Sequence, residues 1–383
     1  HKYGIKMVQE GMEEALNYSR KRFHNMLEAL PDGAWEGTDY QEDDGHGGGP
    51  HKIHVKLTKS GKKVTLDFTG SSPQVRGPVN CTFTETKAGC YTALMNVVDP
   101  WVPLNSGSIE GIKVVAPLGC IVNPTYPAPV FSSTSDPLNK VYEAVMKAMS
   151  CWLPDRVTAG SYCTMNNCTA SGDLDESGEE FIWYHFGPGG IGARLTKDGR
   201  NGDCHAMTNA RTESMEIWET RYPVQFERLG LIMDSGGPGR YRGGLGVSRQ
   251  IRVLAPTFLT GCADRHEIPP WGLSGGGDGK PNSFKLIRDG KEWDFPGLFG
   301  TLSGSKFTNV PLKVDDIFDI QSGGGGGYGD PMHRDIDTLV NDVEQGYISA
   351  EKAKDDYGVW INPDTGDVDR VKTVQLRLKD RRK

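Results

Sequence analysis

The chain has 383 residues, with 36% hydrophobic and 24% charged side chains and a net charge of −7 at pH 7. This composition suits a protein that buries a core, and the lack of a basic excess argues against nucleic acid as a partner. No run of 18 apolar residues occurs, so the sequence predicts neither a transmembrane helix nor a membrane partner. The 50 glycines and 23 prolines predict many turns and short strands.

The first residues lack a start methionine and the apolar segment of a signal peptide. We therefore expect either a processed chain or the later part of a longer polypeptide. Eight cysteines are spread without a CxxC pair, which predicts reduced thiols in a cytoplasmic protein. Cys163, Cys168, Cys204 and His205 could be imagined as a zinc set. Their spacing is not that of a known closed site, so no metal site is predicted here.

Apolar residues recur at three- and four-residue intervals over 5–30, which predicts a helix that ends at the turn residues 31–33. Alternating apolar residues at 53–57 and 64–68 then predict a β-hairpin with one buried face. The acidic, glycine-rich segment 42–49 is interpreted as an exposed loop, with cation binding as the alternative.

Seven apolar residues between 138 and 152 form one helical stripe, which we interpret as core rather than as a ligand pocket. The segments 250–254, 283–287 and 314–320 are interpreted as strands, and 288–291 as a hairpin turn. After residue 330 two short helices are predicted, one ended by Gly346 and one that begins after Ser349 and ends at Gly358. The last 13 residues form a basic tail that is solvated or contacts another subunit.

Five consecutive glycines, Gly323–Gly327, could suggest a phosphate loop. A Walker A loop needs a following Lys and Ser or Thr, whereas here Tyr328 and Gly329 follow. A dinucleotide-binding fingerprint needs a helix directly after the glycines, and Pro331 prevents one. The glycines are therefore expected to allow close backbone approach, with positive φ, against a neighbouring segment.

The segment 202–247 is dense in polar groups that could support chemistry. Glu216 and Glu219 would share a helical face, where paired carboxylates can serve acid–base work or bind metal. They can equally form a structural ion network with Arg211 and Arg221.

Several stretches, in order, resemble the hydantoinase B/oxoprolinase family. The most specific are TNARTESMEIWETRYP (208–223), DSGGPGRYRGGLG (234–246), DRHEIPPWGLSGG (264–276) and GGGGGYGDP (323–331). The resemblance extends over nearly the whole chain, yet the DPYxGGTHxxD motif that supplies metal ligands in relatives does not occur. The chain thus resembles the C-terminal two-thirds of a family member. Members of the family carry a further N-terminal portion that contains this motif. The resemblance implies that a divalent metal is bound there, either in the same polypeptide or on a separate chain.

The resemblance implies a subunit of an ATP-dependent enzyme that opens a cyclic amide through carbonyl phosphorylation. It equally allows a subunit of an acetone or acetophenone carboxylase that uses bicarbonate, and a non-catalytic scaffold subunit is the third reading. ATP with Mg²⁺ is expected on a hydantoinase A-type partner subunit, and the substrate is a small carbonyl compound.

Residue roles follow as hypotheses. Arg211 would stabilise an oxyanion or phosphate, and His205 or His185 would move protons. Relatives often carry an acid near the position of His185. Substrate binding is assigned to five further residues, namely Asp203, Asn209, Glu216, Glu219 and Arg221.

For the architecture we predict a mixed α and β (α+β) fold that is rich in strands and glycine. One body would extend over residues 1–330, followed by a short C-terminal helical tail at 331–383.

Overall fold

A computed structural model describes residues 2–174, 179–362 and 365–380. Eight α-helices occur in these residues: α1 Gly4–Glu28, α2 Phe83–Val98, α3 Pro137–Trp152, α4 Met215–Arg221, α5 Phe295–Phe299, α6 Ile336–Glu344, α7 Ala350–Asp355 and α8 Arg370–Asp380. The strands are β1 Gly33–Gln41, β2 His51–Ser60, β3 Lys63–Asp67, β4 Ile112–Val115, β5 Asn167–Asp173, β6 Glu180–His185, β7 Val224–Leu231, β8 Val247–Val253, β9 Thr257–Cys262, β10 Ser283–Arg288, β11 Lys291–Trp293, β12 Lys306–Leu312 and β13 Ile317–Gln321. The predicted α+β class is confirmed.

The chain divides into two compact units. The first unit comprises residues 1–41 and 51–157, and the second comprises residues 42–50 and 158–383. The C-terminal helices therefore belong to the second unit. No helix among the described residues combines the length and the apolar character that a bilayer-spanning helix needs.

The first unit contains a four-stranded sheet in the order β1-β2-β3-β4, with β3 and β4 parallel and the other pairs antiparallel. The predicted hairpin of β2 and β3 is confirmed, and its inward residues Ile53, Val55 and Leu57 are fully buried. Helix α3 packs on β1 and β2. The approach is close at Gly37, where a Cβ would lie 2.0 Å from the carbonyl oxygen of Ala144. Glycine is therefore required at this crossing.

Helix α1 is confirmed, but its apolar stripe is buried only in its second half. Phe23 and Leu27 are fully buried, whereas Ile5, Val8 and Met12 are exposed. The apolar stripe therefore contributes to the core only in the second half of the helix. The second half is anchored because the Arg22 guanidinium donates to both carboxylate oxygens of Asp99, at 2.5 and 2.9 Å.

Helix α3 is confirmed over the predicted stretch, and its apolar stripe is buried. The opposite, polar face is buried as well. Its residues follow the i, i+3, i+4, i+7 spacing of one helical face and comprise Asp136, Asn139, Lys140 and Glu143. Buried charged groups carry a large desolvation cost unless they are paired or hydrogen-bonded.

The second unit contains a five-stranded sheet in the order β11-β10-β13-β8-β7 and a four-stranded sheet in the order β12-β9-β5-β6. A common hydrophobic core joins residues from both sheets. Phe295 and Phe307 stack at its centre with ring centroids 4.0 Å apart. The predicted strands correspond to β8, β10 and β13, and the predicted turn at 288–291 joins β10 to β11.

The glycine run lies inside the second unit, fully buried. We use the name glycine bundle for Gly323–Gly327 together with the surrounding segments 189–193, 235–246 and 271–280. All five N–H groups of the run donate to protein oxygens, which belong to Asn282, Lys280, Gly244, Gly160 and Gly277. Close backbone approach is confirmed, but positive φ is wrong for the run, since the positive values begin only at Gly329.

The positions Gly323–Gly327 leave no room for side chains. A Cβ on Gly324 would lie 1.8 Å from the oxygen of Ser235, and one on Gly326 would lie 2.0 Å from that of Trp271. Real Cβ atoms do not approach other heavy atoms this closely, so each of these positions admits only glycine. The run therefore acts as a structural core built from backbone alone.

The acidic segment 42–50 joins the second unit and is not simply an exposed loop. Glu42 is buried, and its carboxylate accepts the N–H groups of residues 266–268 at 2.6 to 3.0 Å. Burial, and then the neighbouring Asp264, raise the pKa of Glu42. Lys306 pairs with Asp43 at 3.3 Å and with Asp264 at 2.8 Å. These carboxylates thus serve internal structure.

The two predicted C-terminal helices are confirmed as α6 and α7. The Ser349 side chain accepts the N–H of Lys352, as expected of an N-cap. Buried Arg334 anchors α6, since its guanidinium lies 2.8 Å from each carboxylate oxygen of Asp198 and 2.5 Å from Asp342. Part of the predicted basic tail forms α8, a helix that the sequence analysis does not predict.

Candidate functional site

A buried polar cluster lies beside the glycine bundle in the second unit. Its centre is Asn282, whose Oδ1 accepts the N–H of Gly323 at 2.6 Å and the amide of Asn166 at 3.2 Å. The Asn282 amide donates to the carbonyl of Tyr162 at 3.2 Å. Cys163 and Asn166 are held with φ of +53° and +48°, a conformation that non-glycine residues rarely adopt. Strained, buried polar residues of this kind concentrate at functional sites.

His205 belongs to the same cluster and is fully buried. Its backbone N–H lies 3.4 Å from the hydroxyl of Tyr162, and its Nδ1 accepts the N–H of Met207 at 3.4 Å. With Nδ1 as the acceptor, the neutral imidazole carries its proton on Nε2. Burial raises the pKa of Tyr162, so this hydroxyl stays protonated. The cluster therefore holds hydrogen-bond donors and acceptors away from bulk water.

Asp203 fixes the segment that carries His205. Its backbone pairs with Gly189 in both directions, at 2.8 and 3.0 Å, which attaches the segment to the glycine bundle. The Asp203 carboxylate pairs with Arg200 at 2.6 Å and accepts the N–H of Cys204 at 2.8 Å. Asp203 therefore orients the loop. Asn209, four residues beyond His205, is exposed.

The glycine run does not suit a phosphate. Its N–H groups are all donated within the protein, and its residues are buried. A phosphate loop needs such groups directed at a ligand. A nucleotide is thus not accommodated by Gly323–Gly327.

Two potential metal ligands approach each other in the second unit. The Sγ atom of Cys163 and a ring nitrogen of His205 lie within 4.8 Å, and both residues are buried. Among the described residues Cys168 and Cys204 do not join this group, so the four-residue zinc set considered from the sequence is wrong.

His185 lies at the end of β6 and is buried against Arg249. The Nη1 atom of Arg249 lies 2.7 Å from Nδ1 and 2.5 Å from Nε2 of His185. Burial, and then the Arg249 charge, hold the pKa of His185 well below its ordinary value, so the ring is neutral. Burial also lowers the pKa of Arg249 to about 10. Trp218 meets the His185 ring edge-on at 5.6 Å between centroids.

The remaining predicted site residues lie on the surface around α4. Arg211, Glu216, Glu219 and Arg221 are all exposed. Glu216 accepts from the hydroxyl of Ser214, and Glu219 accepts the N–H of Phe226 at 2.7 Å. Neither glutamate forms an ion pair with Arg211 or Arg221 in the described part of the chain, so the proposed ion network is wrong. These four residues stay unassigned predictions.

Sequence reasoning misses Tyr162, Asn166 and Asn282, which build the cluster. No local pattern marks them, because their partners lie 116 and 120 positions apart along the chain. It also misses the polar face of α3 in the first unit, where the Asn139 amide donates to the carbonyl of Ser135 at 2.7 Å. The i, i+3, i+4, i+7 spacing is present in the sequence, but a charged helical face ordinarily predicts exposure to solvent.

The comparisons with known proteins agree with the fold and with the motifs. The profile of the Hydantoinase B/oxoprolinase family matches residues 1–331. The chain is a member of this family. One subunit of a putative D-/L-hydantoinase from Pseudomonas sp. is 33% identical over 388 residues, with 98% of this chain and 64% of the relative covered. An uncharacterised protein of Methanocaldococcus jannaschii is 35% identical over 378 residues, with the same coverage.

Among solved structures, the ATP-dependent caprolactamase from Pseudomonas jessenii superimposes with a TM-score of 0.87 at 26% identity, over 98% of this chain and 65% of that one. A nucleotide-free acetone carboxylase superimposes with a TM-score of 0.84 at 20% identity, over 100% of this chain and 57% of that one, and supports the fold alone. This hydantoinase B/oxoprolinase family chain thus spans about two-thirds of the length of the hydantoinase subunit, the Methanocaldococcus protein and the caprolactamase.

Proposed function

We propose that this chain is one subunit of an ATP-dependent enzyme that opens a cyclic amide. The single observation that carries the proposal is the similarity, over 98% of the chain, to an ATP-dependent caprolactamase. Similarity to one subunit of a putative hydantoinase supports the same reaction class, because hydantoins and lactams are both cyclic amides. The carboxylase alternative has weaker support, since the acetone carboxylase shares the fold at only 20% identity.

The proposed reaction proceeds in three steps. The amide carbonyl oxygen attacks the γ-phosphorus of ATP, which forms a C–O–P bond and releases ADP. Water then attacks the activated carbon, and the ring C–N bond breaks with proton transfer to nitrogen, which leaves an acyl phosphate. A second water hydrolyses the acyl phosphate to the carboxylate and phosphate. The intermediate must be kept from bulk water. A buried cluster attached to a rigid glycine bundle suits that requirement.

His205 is the proposed proton carrier of the cluster. Its Nδ1 accepts the Met207 N–H, and its imidazole is proposed to exchange a proton with the substrate or water. The hydroxyl of Tyr162 lies 3.4 Å from the His205 backbone nitrogen and helps to hold the loop in place. Arg211 and the exposed acids of α4 are proposed to contact the substrate or a partner on the surface.

ATP is proposed to bind outside Gly323–Gly327. The relatives whose names mention a subunit support a multi-subunit enzyme. We propose that ATP and Mg²⁺ are bound by a hydantoinase A-type partner subunit, in the cytoplasm. The backbone hydrogen bonds that consume the N–H groups of Gly323–Gly327 are consistent with this assignment.

The test is ADP release by the native complex with a panel of hydantoins, lactams, 5-oxoproline, acetone and acetophenone, each with and without bicarbonate. ADP release that depends on a cyclic amide and not on bicarbonate would support the proposal. ADP release that depends on a ketone together with bicarbonate would instead support the carboxylase alternative. Full activity in a complex without this chain would make the chain a scaffold.

The role of His205 is tested in the same assay. His205→Gln should lower turnover by about two to four orders of magnitude, the range of general acid–base catalysis. The matched control is His333→Gln, because that side chain is exposed and pairs only with Asp330 at 3.4 Å. Equal turnover of the two variants would exclude His205 from the chemistry.

A further inference from the structure

Arg249 is a buried cation that has no carboxylate partner among the described residues. It is 5% exposed and lies on the inward face of β8, whose next inward residues, Ile251 and Val253, belong to the hydrophobic core. Its guanidinium hydrogen-bonds to His185 and to no other described residue. A guanidinium has five N–H donors, whereas a neutral imidazole has one acceptor nitrogen. Most of these donors, including buried Nε, therefore lack an acceptor in the described part of the chain.

Two other buried arginines of the second unit have the partners that Arg249 lacks. Arg334 lies 2.8 Å from Asp198 and 2.5 Å from Asp342, and Arg242 lies 3.6 Å from Asp342. A buried charge without compensation carries a large desolvation cost, so buried charges are normally paired. The exception at Arg249 indicates that its counter-charge comes from a ligand.

The groups around Arg249 supply no counter-charge in direct contact. His185 is neutral, and burial raises the pKa of the Cys168 thiol, so this thiol stays protonated. Glu213 is close enough for its charge to act on Arg249, but its carboxylate is exposed and accepts the indole N–H of Trp218. The guanidinium is therefore held in place without an anion from the described residues.

A space is left open beside this pair at Gly187, which is buried. A Cβ built on Gly187 would meet Nε2 of His185 at 3.4 Å and Cβ of Asn166 at 3.9 Å, and no closer described atom outside its chain neighbours. The same Nε2 lies 2.5 Å from Nη1 of Arg249, so the space is next to the guanidinium. Asn166 belongs to the buried cluster with Asn282, so the space also borders the candidate site.

We propose that Arg249 is the cation of an oxyanion-binding site, which takes a carboxylate or a phosphoryl group in the space beside Gly187 and His185. The planar guanidinium presents paired N–H groups that match two oxygen atoms of either anion. A role in catalysis rests on the proposed function, whose phosphorylated amide, acyl phosphate and carboxylate product are all oxyanions. Arg249 then holds these species by an anionic group beside the buried cluster.

Isothermal titration calorimetry of the full chain tests anion binding without ATP or a partner subunit. The probes are inorganic phosphate, hexanoate and neutral hexanamide, each at one ionic strength set with chloride. At least one anion should bind, and hexanamide should bind about tenfold more weakly or not at all, since it lacks the charge. Tighter binding of phosphate would assign a phosphoryl site, and tighter binding of hexanoate a carboxylate site. Failure of both anions to bind would overturn the proposal.

Arg249→Met should weaken binding of the preferred anion about tenfold or more, because charge-assisted hydrogen bonds are lost. Arg252→Met is the matched control on the same strand, since Arg252 pairs with Glu227 at 2.6 Å and is only partly buried. The control should bind the anion as the unmodified chain does. Equal anion affinity of the two variants would contradict the assignment to Arg249.

Gly187→Ala tests the same site in a variant that keeps every charge. Its methyl group enters the open space at ordinary contact distances, and Gly187 does not have a positive φ, so the variant should fold normally. Circular dichroism and urea unfolding verify folding. Anion affinity should fall about tenfold, because the methyl group occupies the ligand's space. Unchanged affinity in this variant would exclude the space beside Gly187 as the binding site.

Turnover of the native complex tests the link to the reaction separately. With the cyclic amide that drives ADP release, kcat/KM should fall about tenfold or more in Arg249→Met and stay unchanged in Arg252→Met. Lost anion binding with unchanged turnover would overturn the role in catalysis and leave the anion site. Anion binding by a complex that no cyclic amide activates would contradict the proposed function instead.

Discussion

Substitution of Gly325 by Ala should strongly destabilise the second unit. The added Cβ would lie 2.2 Å from the carbonyl oxygen of Ile191 and 2.6 Å from the nitrogen of Gly192. Both neighbours are backbone atoms, so no flexible side chain can move away. The bundle must open by about 1 Å to reach an ordinary van der Waals distance.

The magnitude follows from two effects. Overpacking of a dense interior costs about 1–3 kcal/mol. Displacement also stretches two backbone hydrogen bonds, from Gly325 to Gly244 and from Gly237 to Gly325, both 2.8 Å long. At about 1 kcal/mol for each bond, the expected loss is about 3–5 kcal/mol in the free energy of unfolding.

Urea unfolding of the variant and of Gly304→Ala measures this loss. Gly304 lies in the same unit, and the nearest atom to its added Cβ would be the Pro296 Cδ at 3.8 Å, an ordinary contact. The control should differ from the unmodified chain by less than about 1 kcal/mol. A similarly small change for Gly325→Ala would refute the close-packed account of the glycine bundle.

Three further predictions concern other buried groups. Arg334→Met should cost up to about 3 kcal/mol, because it removes the nearest cation from half-buried Asp198 and leaves buried Asp342 with the more distant Arg242 at 3.6 Å, and hydrogen exchange at α6 should rise. The pKa of His185 is lower in the folded state than the ordinary histidine pKa of about 6.5, so below pH 6.5 the unfolded state binds a proton that the folded state does not. The free energy of unfolding should therefore fall by up to about 1.4 kcal/mol per pH unit as the pH drops below 6.5. His185→Gln should remove this slope in urea titrations. A maleimide should modify exposed Cys151 first, since buried thiols such as Cys81, whose pKa burial raises to about 12, react only on unfolding, as peptide mapping would reveal.

Matched control variants separate these effects from nonspecific effects of substitution. Lys291→Met removes an exposed cation from a hairpin and should leave stability within about 0.5 kcal/mol of the unmodified chain. His46→Gln, at an exposed histidine, should keep the pH slope. A Cys151→Ser chain that still reacts rapidly at a buried thiol would contradict the burial account, and a conserved pH slope in His185→Gln would exclude His185 as its source.

The sequence predicts elements where local rules suffice. The hairpin of β2 and β3 follows from alternation, and α7 follows from an N-cap at Ser349 and a terminating Gly358. Helix α1 shows the limit of periodicity. A regular apolar stripe predicts that one face of a helix is apolar, but it does not show whether the same chain buries that face.

The candidate site could be predicted only in part. Asp203 and His205 are close together in a polar motif, and the structure places them in one loop beside the glycine bundle. Arg211 belongs to the same motif but is exposed, since the density of polar residues carries no information on burial. The pairing of His185 with Arg249 joins strands that are 64 positions apart, so it depends on sheet topology.

The segment 42–50 has a consequence for synthesis on the ribosome. Its carboxylates need the backbone donors of residues 266–268 and the ammonium group of Lys306, which follow more than 220 positions later. At translation rates of about 5–20 residues per second, the nascent segment waits roughly 10–50 s for them. A nascent chain can thus form the hairpin that follows this segment long before the later residues of the second unit can pair with residues 42–50. Translation pauses within that interval should lengthen exposure to chaperones and proteases.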